Sequence, residues 1–262
     1  MRDNLTIVKV GGNVVEDEAS LKSLLKDFSR IAGYKILVHG GGKTATLLSE
    51  KLGIESKLVD GRRITDADTL KVVTMVYAGL VNKNIVAGLQ ALGNNAIGLT
   101  GADLNIILAS KRPVGEIDYG YVGDIKYVNY QSLNELLVTG AIPVMAPITH
   151  DGHGQLLNTN ADTIASELAV AMGFDYDVRL IFCFEKCGVL MNETDPSSKI
   201  SEINPALFEQ LKKDGVVSGG MIIKLSDGFA ALNRGVGVVV ITNPAGISEG
   251  LRGTRLVLFN KC

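Results

Sequence analysis

Short apolar runs alternate with segments of helical spacing along most of the chain. Thr6–Val10 is an apolar run that ends in two glycines, and Ala19–Ile31 then places apolar side chains at the spacing of one helix face. Ile36–Val38 and Thr44–Leu52 repeat the same order of strand and helix. Repeated strand–helix units predict a mostly parallel central sheet with helices on both of its faces.

The middle of the chain departs from this simple alternation. Ala67–Leu92 has helical spacing and is predicted to break near Gly79, because glycine weakens a helix interior. Leu104–Ala109 and Asp124–Tyr130 flank Pro113–Gly123, a stretch rich in Gly, Tyr and Pro. We interpret these segments as a β-hairpin added to the parallel scaffold.

The second half of the chain continues the alternation without a Pro/Ser-rich linker or an internal repeat. The predicted elements are a strand at Ile142–Met145, a turn-rich segment at Pro147–Gly154, a helix at Asp162–Ala171, strands at Val178–Phe184 and Val238–Ile241, a helix opened by Asn204-Pro205, and a helix at Met221–Asn233. We place a boundary near Gly173, between an N-terminal lobe, residues 1–173, and a C-terminal lobe, residues 174–262.

Composition narrows the class of protein. The chain has 262 residues, of which 46% are hydrophobic, enough for one large α/β domain or two fused lobes. The net charge is −2 without a basic stripe, so we do not expect nucleic acid as a partner. The start lacks a signal-peptide apolar region, and no apolar run approaches the roughly 20 residues of a membrane helix. Because Cys183, Cys187 and Cys262 make no disulfide framework either, we expect a cytoplasmic protein without a membrane partner.

Lys9 is the first candidate for chemistry. It follows Ile7 and Val8 near the end of a predicted strand, where an ammonium group is costly unless an anion accompanies it. The alternative is an edge strand on which Lys9 is solvated. In the functional interpretation Lys9 lies at the carboxyl end of a parallel strand, where ligands of α/β proteins bind. Gly11 and Gly12 then expose backbone N–H groups to phosphate oxygens.

His39–Gly42 contains three glycines between the second strand and the next helix, so the backbone can approach a bound anion. The spacing is not that of a Walker A loop. The run also resembles the oxyanion-hole glycines of lipases, and Gly246–Gly250 fits the nucleophile elbow of a serine esterase. We reject the esterase because an acid and then a histidine should follow the serine, and no Asp or His follows Ser248 in the sequence.

Three further polar positions have both a structural and a functional interpretation. Arg63 carries a guanidinium fork that suits a carboxylate, although a surface arginine is equally common. Asp162 falls in the first turn of a helix, where its negative charge would interact favourably with the helix dipole. Asn158 and Asn160 beside it instead indicate a polar site. Lys224 follows two glycines at a helix start, where a lone lysine is usually solvated. Taken together, two lysines, a carboxylate and bare N–H groups are what a protein needs to transfer a phosphoryl group.

In order along the chain, these segments resemble the motifs of the amino acid kinase family. The matching segments are Val8–Gly12, Val38–Gly42, Gly61–Thr65, Asn158–Asp162 and Gly219–Lys224. Each segment alone is weakly specific, whereas their combination, extending from about Thr6 to Arg255, is highly specific. The resemblance implies a three-layer αβα sandwich whose N-terminal lobe binds an acyl amino acid and forms a dimer, and whose C-terminal lobe binds ATP.

The same resemblance implies a role for each matched residue. Lys9 and Lys224 would stabilise the transferring phosphoryl group, and Asp162 would orient both lysines. The remaining roles are acyl-amino-acid binding by Gly41, Gly42, Arg63 and Asn158, phosphate contact by Gly11 and Gly12, and nucleotide binding by Glu185, Gly188, Ser218 and Gly220. ATP would bring Mg²⁺ with it, and no resident metal site is predicted, because His150 and His153 have no third ligand at a suitable spacing.

The activity implied by the resemblance is ATP-dependent phosphorylation of the side-chain carboxylate of an N-acyl-glutamate in arginine biosynthesis. We expect N-acetyl-L-glutamate, the commoner substrate of the family, with N-succinyl-L-glutamate as the alternative. A succinyl carboxylate would need a cation, for which Arg62, Lys111 and Arg112 are candidates. Another amino acid kinase, such as glutamate 5-kinase or carbamate kinase, and a non-catalytic nucleotide or arginine sensor are the further alternatives.

Two departures from the family pattern accompany the resemblance. In Cys183–Gly188, Phe184 stands where the family's nucleotide loop usually has a hydroxyl residue and Glu185 stands where it has aspartate. The chain also starts without the extra N-terminal helix of the arginine-inhibited, hexameric members. We therefore expect a homodimer that arginine does not inhibit.

Overall fold

The structure, a computed structural model, describes residues 2–59, 62–248 and 252–259. Its helices are α1 (Gly12–Glu16), α2 (Glu18–Ser29), α3 (Gly42–Lys51), α4 (Ala67–Thr74), α5 (Asn82–Ala91), α6 (Tyr130–Val138), α7 (Ala161–Met172), α8 (Pro205–Lys213), α9 (Gly219–Asn233) and α10 (Pro244–Ser248). Its strands are β1 (Asp3–Val10), β2 (Tyr34–His39), β3 (Leu58–Val59), β4 (Arg62–Arg63), β5 (Ala96–Leu99), β6 (Ile107–Lys111), β7 (Gly123–Val128), β8 (Ile142–Met145), β9 (Ile148–His150), β10 (Leu156–Asn158), β11 (Tyr176–Cys183), β12 (Glu202–Ile203), β13 (Val238–Thr242) and β14 (Thr254–Leu256).

A central sheet runs through the described residues in the strand order β12-β14-β13-β11-β1-β2-β8-β5. All neighbouring strands are parallel except β13 and β14. In the middle of the sheet, β1 pairs with β2 on one side and with β11 on the other. The sheet is therefore continuous across the predicted boundary at residue 173.

Hydrophobic clusters cover both faces of this sheet. Leu5 and Ile7 of β1 pack with core side chains of α7 and α9, whereas Val8 and Val10 pack with those of α2, α4 and α5. Because side chains alternate along a strand, Lys9 points to the same face as Ile7, toward α7 and α9. Helices on both faces of a mostly parallel sheet confirm the predicted three-layer αβα sandwich.

The helix that follows β4 does not break near Gly79, so that prediction was wrong. Between α4 and α5 the chain stays helical as a π-helical segment, Met75–Val81, in which Gly79 is accommodated. The whole run, Ala67–Ala91, has 25 residues and is long and apolar enough, by length and composition, to cross a membrane. The sequence pattern did not lead us to expect this, but the inward side chains of the run, including Val73 and Ile85, are fully buried in the core.

The predicted β-hairpin is confirmed. β6 and β7 pair antiparallel and join β9 and β10 in a separate sheet, ordered β10-β9-β6-β7. Leu104 and Asn105 lie in a short 3-10 turn with left-handed backbone angles rather than in the predicted strand. The segment Pro147–Gly154, predicted as turns, contains β9, because three residues suffice for a strand when a neighbouring sheet edge pairs with them.

The other predicted helices and strands are confirmed, with ends that differ by at most three residues. The helix opened by Asn204-Pro205 illustrates why the pattern was informative. The Asn204 side chain accepts a hydrogen bond of 2.8 Å from the Leu207 N–H, which would otherwise lack an acceptor in the first helical turn.

Candidate active site

Three charged side chains from different elements meet on the α7/α9 face of the sheet. Lys9 Nζ lies 2.9 Å from Asp162 Oδ1, and Lys224 Nζ lies 3.2 Å from Asp162 Oδ2. Lys9 comes from the end of β1, Asp162 from the first turn of α7 and Lys224 from the first turns of α9. The side chains of Lys9 and Asp162 are each only 7% exposed. A single carboxylate thus holds two ammonium groups in position.

Burial and pairing oppose each other in this triad. Burial lowers the pKa of Lys9 from its ordinary value, and the ion pair with Asp162 opposes that effect. Burial alone would raise the pKa of Asp162, but Lys9 and Lys224 together bring it below its ordinary value. Asp162 is therefore ionised at neutral pH, with a lysine side chain beside each of its two oxygens.

Asp162 is free for this role because another residue caps its helix. The side chain of Asn160 accepts hydrogen bonds from the Asp162 and Thr163 N–H groups, at 2.8 and 3.1 Å. This is the ordinary function of an asparagine at an N-cap. The two ion pairs with Lys9 and Lys224 therefore account for Asp162 better than an interaction with the helix dipole does.

The two glycine loops approach each other in front of the triad. A Cβ atom on Gly12 would lie 3.7 Å from the backbone nitrogen of Gly42, and one on Gly40 would lie 3.6 Å from that of Gly12. Gly41 has a φ angle of 153°, and a Cβ there would meet Tyr77 and Val81 at 3.1 and 3.2 Å. A glycine is therefore favoured at 41, whereas the contacts at Gly12 and Gly40 are ordinary van der Waals distances.

Not every N–H group of these loops is available to a ligand. The Gly11 N–H donates to the Cys183 carbonyl at 2.9 Å, and the Gly40 N–H donates to that of Val10 at 3.3 Å. The expectation that the Gly11 N–H faces phosphate was therefore wrong, because this N–H continues the pairing between β1 and β11. Gly12 and Gly42 begin α1 and α3, where backbone N–H groups have no acceptor within the helix.

A cavity of about 550 Å³ opens in front of the glycine loops and the triad. Among the residues that line it are most of those predicted for the site: Lys9, Gly11, Gly12, Gly41, Gly42, Arg63, Glu185, Gly188, Ser218, Gly220 and Lys224. A second cavity of about 160 Å³ shares Gly40–Gly42 and Arg63 with the first and adds Asn158 and Tyr77. The predicted site residues are thus brought together from both halves of the chain.

Arg63 already uses part of its guanidinium within the protein. Its Nη1 donates a hydrogen bond to Ser56 Oγ, and its Nη2 donates to the Gly42 carbonyl and to Thr46 Oγ1. All three distances are 2.8 Å. Of the five N–H groups of an arginine, at most two remain for a ligand carboxylate, one on Nη1 and the one on Nε, and the guanidinium also acts on the Tyr77 hydroxyl. Arg63 therefore ties β4 to the glycine loop as well as facing the cavity.

Asn158 lies at the end of β10 and is nearly buried. Its Nδ2 donates to Thr65 Oγ1 at 2.9 Å. Because that bond fixes the amide, its oxygen is left as an acceptor for a donor group in the smaller cavity. This arrangement is compatible with the predicted binding of an acyl amino acid.

The segment after β11 forms the far wall of the larger cavity. Glu185 Oε1 accepts a hydrogen bond of 3.1 Å from Asn13 Nδ2, and Lys186 forms an ion pair of 3.0 Å with Glu193. Gly188 has a φ angle of 154°, and a Cβ there would lie 2.7 Å from Thr254 Oγ1, which accepts the Val189 N–H. A glycine is therefore required at 188, whereas Glu185 is held by a neighbour within the chain.

Sequence reasoning missed several residues of the site. Tyr77 lines the smaller cavity and Asn13 the larger one. Tyr77 carried no signal, because it lies within a long helical pattern. Thr163, the residue after Asp162, donates a hydrogen bond of 2.9 Å to Asp227, which lies one helical turn beyond Lys224, and so links α7 to α9. Only the spacing of three residues from Lys224 to Asp227 hinted that both face α7.

Some residues considered in the sequence lie elsewhere or outside the described residues. His150 Nε2 contacts Asn105 Oδ1 at 2.8 Å in the separate sheet. Within residues 2–59, 62–248 and 252–259, no group of three His, Cys, Asp or Glu side chains is arranged to hold a metal ion. Gly61 of the arginine motif, Glu249 and Gly250 of the elbow motif, and Cys262 lie outside the described residues, as does the side chain of Ser248.

Comparison with known proteins agrees with this geometry. Residues 4–243 match the model of the amino acid kinase family. The chain is 60% identical to an acetylglutamate kinase of Bacteroides thetaiotaomicron, over 98% of this chain and 99% of that one. It is also 60% identical to an acetylglutamate kinase of Phocaeicola vulgatus, over 95% and 97% of the two chains. The crystal structure of smu.665 from Streptococcus mutans UA159 superposes with a TM-score of 0.83 at 27% identity, covering 97% of this chain and 99% of that one. The chain belongs to the amino acid kinase family.

Proposed function

We propose that this enzyme transfers the γ-phosphoryl group of ATP to the side-chain carboxylate of N-acetyl-L-glutamate, in arginine biosynthesis. The observation that carries the proposal is the Lys9–Asp162–Lys224 triad, whose two lysines line the larger cavity. The names of the relatives at 60% identity agree with it. The reaction makes an acyl phosphate and ADP.

The chemistry needs charge stabilisation more than proton transfer. A carboxylate oxygen attacks the γ-phosphorus while the bond from that phosphorus to the β–γ bridging oxygen breaks, and the bond electrons leave with ADP. Because the acceptor is already ionised, no general base is required. Lys9 and Lys224 would neutralise the charge on the transferring group, and Asp162 would keep both ammonium groups aimed at it.

The two cavities suggest how the substrates are divided between the halves of the chain. Residues 1–173 would hold the acyl amino acid in the smaller cavity, through Gly41, Gly42, Arg63 and Asn158. Residues 174–262 would hold ATP in the larger one, through Glu185, Gly188, Ser218 and Gly220. Mg²⁺ would enter bound to the phosphates of ATP, as part of that substrate.

The positions of Arg62, Lys111 and Arg112 indicate whether the substrate carries an acetyl or a succinyl group. Lys111 Nζ lies 5.0 Å from the centre of the Tyr121 ring, and Arg112 pairs with Asp124. Lys111 and Arg112 do not line the smaller cavity, whereas Arg62 does. N-acetyl-L-glutamate is therefore the first proposal. N-succinyl-L-glutamate is the second, because Arg62 lines the smaller cavity, although its charge also acts on Asp227.

A steady-state assay of ADP release tests both substrates. We expect kcat/KM to favour N-acetyl-L-glutamate, and a ratio above about 10 for the succinyl compound, roughly 1.4 kcal/mol, would reverse the assignment. Arg62→Ala is the matched variant: it should lower kcat/KM only for a substrate with an extra carboxylate. Absence of ADP release with either compound would refute the kinase proposal and leave the nucleotide- or arginine-sensor alternative.

A homodimer is the proposed assembly in the cytoplasm. Met75 and Leu80 are each 54% exposed on the π-helical segment, and Ile97 is exposed on β5, the edge strand of the central sheet. Apolar side chains along one helix and one sheet edge suit a second copy of the chain. In this assembly the dimer surface belongs to the N-terminal half.

A further inference from the structure

His39 is a buried histidine at the base of the glycine loop, and the phosphoryl-transfer chemistry above does not use it. It is the last residue of β2 and is fully buried. Its Nδ1 lies 2.8 Å from the carbonyl oxygen of Gly40, and its Nε2 lies 3.1 Å from Nδ2 of Asn82. Both ring nitrogens therefore have partners within the protein.

The groups around Asn82 fix the direction of each hydrogen bond. Asn82 Nδ2 also lies 2.9 Å from the Val144 carbonyl, which can only accept. Lys83 Nζ lies 3.2 Å from Asn82 Oδ1, and an ammonium can only donate. The amide nitrogen of Asn82 must therefore face the histidine, and it donates its second hydrogen to Nε2.

The tautomer of His39 follows from these directions. Since Nε2 accepts, the proton of the neutral ring resides on Nδ1 and is donated to the Gly40 carbonyl. Burial lowers the pKa of His39 to about 4, with the charges of Lys83 and Lys9 acting in the same direction. The ring is therefore neutral over the physiological range.

The bond to Gly40 also sets the direction of the next N–H group. In a trans peptide the carbonyl and the N–H of the same plane point in opposite directions. When the Gly40 carbonyl turns inward to His39, the Gly41 N–H turns away from His39. A Cβ on Gly12 would lie 3.9 Å from that Gly41 nitrogen, so the N–H lies where the two glycine loops meet in front of the cavity.

The surrounding chain is shaped to hold Asn82 in place. Asn82 is 1% exposed and directly follows the π-helical segment, whose Tyr77 and Val81 pack beneath Gly41. Gly98 on β5 leaves the space that the Asn82 side chain fills, since a Cβ there would lie 1.8 Å from Asn82 Oδ1. The same helix thus supports the glycine loop at Gly41 and, through His39, at Gly40.

We propose that His39 is a positioning residue, which as the neutral Nδ1–H tautomer anchored by Asn82 holds the Gly40 carbonyl and so aims the Gly41 N–H at the acceptor carboxylate of the acyl amino acid as it takes up the phosphoryl group. The catalytic part of this inference rests on the proposed kinase activity. The hydrogen-bond network itself does not depend on it.

The first test measures the tautomer directly. The chain has only three histidines, so ¹⁵N-imidazole spectra of the intact enzyme are simple to assign with a His39→Asn sample. We expect a neutral Nδ1–H ring for His39 from about pH 5.5 to about pH 8, with no titration in that range. A neutral Nε2–H ring or an imidazolium at about pH 7.5 would overturn the inference.

The second test uses two isosteres of histidine. Asparagine at 39 retains a donor at the position of Nδ1, whereas glutamine retains a polar group near that of Nε2. His39→Asn should keep kcat within about threefold of the parent, and His39→Gln should lower it about tenfold or more, because a misaimed N–H loses part of what an oxyanion donor contributes. The KM values for both substrates should change less than threefold in either variant.

Asn82→Asp provides an independent variant at the other end of the network. A carboxylate there can only accept, so it would draw a proton to Nε2 and change the His39 spectrum along with kcat. Equal kcat in His39→Asn and His39→Gln, or an unchanged spectrum and kcat in Asn82→Asp, would refute the positioning role. Failure of the kinase proposal would look different: the parent enzyme would release no ADP while its imidazole spectrum still showed the Nδ1–H ring.

Discussion

Asp227 should make the stability of this protein depend on pH in a direction opposite to that of most carboxylates. It lies on α9, accepts a hydrogen bond of 2.9 Å from Thr163 Oγ1, and has Asp162 and Glu167 nearby. Burial raises the pKa of Asp227 from 3.8 to about 6; the neighbouring acids add to this rise, and Thr163 and Arg62 oppose it. Between about pH 4 and pH 6 the folded protein therefore binds a proton that the unfolded chain has lost.

The magnitude follows from linkage between protonation and folding. A difference of about two pH units between the folded and unfolded pKa corresponds to about 3 kcal/mol. Because the folded pKa is the higher one, this stability is present at low pH and is lost as the pH rises through about 6. At neutral pH the ionised Asp227 then lowers the free energy of unfolding by about that amount.

Asp227→Asn tests this directly, because the amide keeps an acceptor for Thr163 and cannot ionise. Urea unfolding followed by circular dichroism gives the free energy of unfolding of parent and variant at several pH values. The free energy of unfolding of the variant should equal that of the parent at about pH 4 and exceed it by about 3 kcal/mol at about pH 7.5. The contribution of His39, whose lowered pKa destabilises the fold as the pH falls from about 6.5 toward 4, is common to both proteins and cancels in the difference.

The control is Glu202→Gln, which removes an exposed carboxylate on β12. Its free energy of unfolding should stay within about 0.5 kcal/mol of that of the parent at every pH, as for an ordinary surface substitution. If the difference between Asp227→Asn and the parent does not change with pH, or if the variant is the less stable protein at neutral pH, the burial argument is refuted.

Three further predictions concern activity and assembly. Lys9→Ala and Lys224→Ala should each lower kcat by about 10² to 10³ with much smaller changes in KM, while exposed Lys22→Ala should leave turnover unchanged; near-normal turnover in both site variants would remove them from the mechanism. Arg63→Lys should raise the KM for the acyl-glutamate and, since a lysine cannot keep the bonds to Ser56 and Gly42 together, also lower kcat, with the KM for ATP nearly constant; an effect on ATP alone would place Arg63 in the other half. Light scattering should give a dimer, with activity unaffected by arginine, and a hexamer inhibited by arginine would contradict this.

The positions of the charged residues could be predicted from sequence to a useful extent. A lysine at the end of an apolar strand has to meet an anion or solvent, and paired glycines mark close backbone approach, so Lys9 and Gly12 were recognisable. The sequence could not show that the Gly11 N–H pairs with β11 while the Gly12 N–H stays available to a ligand. That difference depends on β11, a strand more than 160 residues away.

Other features could not have been predicted, for physical reasons. A π-helical segment differs from an α-helix in hydrogen-bond register, and its apolar spacing over seven residues is too short to reveal the change. In the sequence, Asp227 looks like an ordinary polar residue of an amphipathic helix. Its burial becomes apparent only when α7 packs against α9. His39 and Asn82 are 43 residues apart, and only the completed sheet brings them within hydrogen-bonding distance.

The glycine at position 98 has a consequence for how this chain tolerates variation. Edge strands usually accept many side chains, because one side of them faces solvent. Here even alanine would collide with the amide of Asn82. In a saturation-mutagenesis map selected for growth without arginine, Gly98 should therefore be a position that does not accept even alanine, although it lines neither of the two cavities.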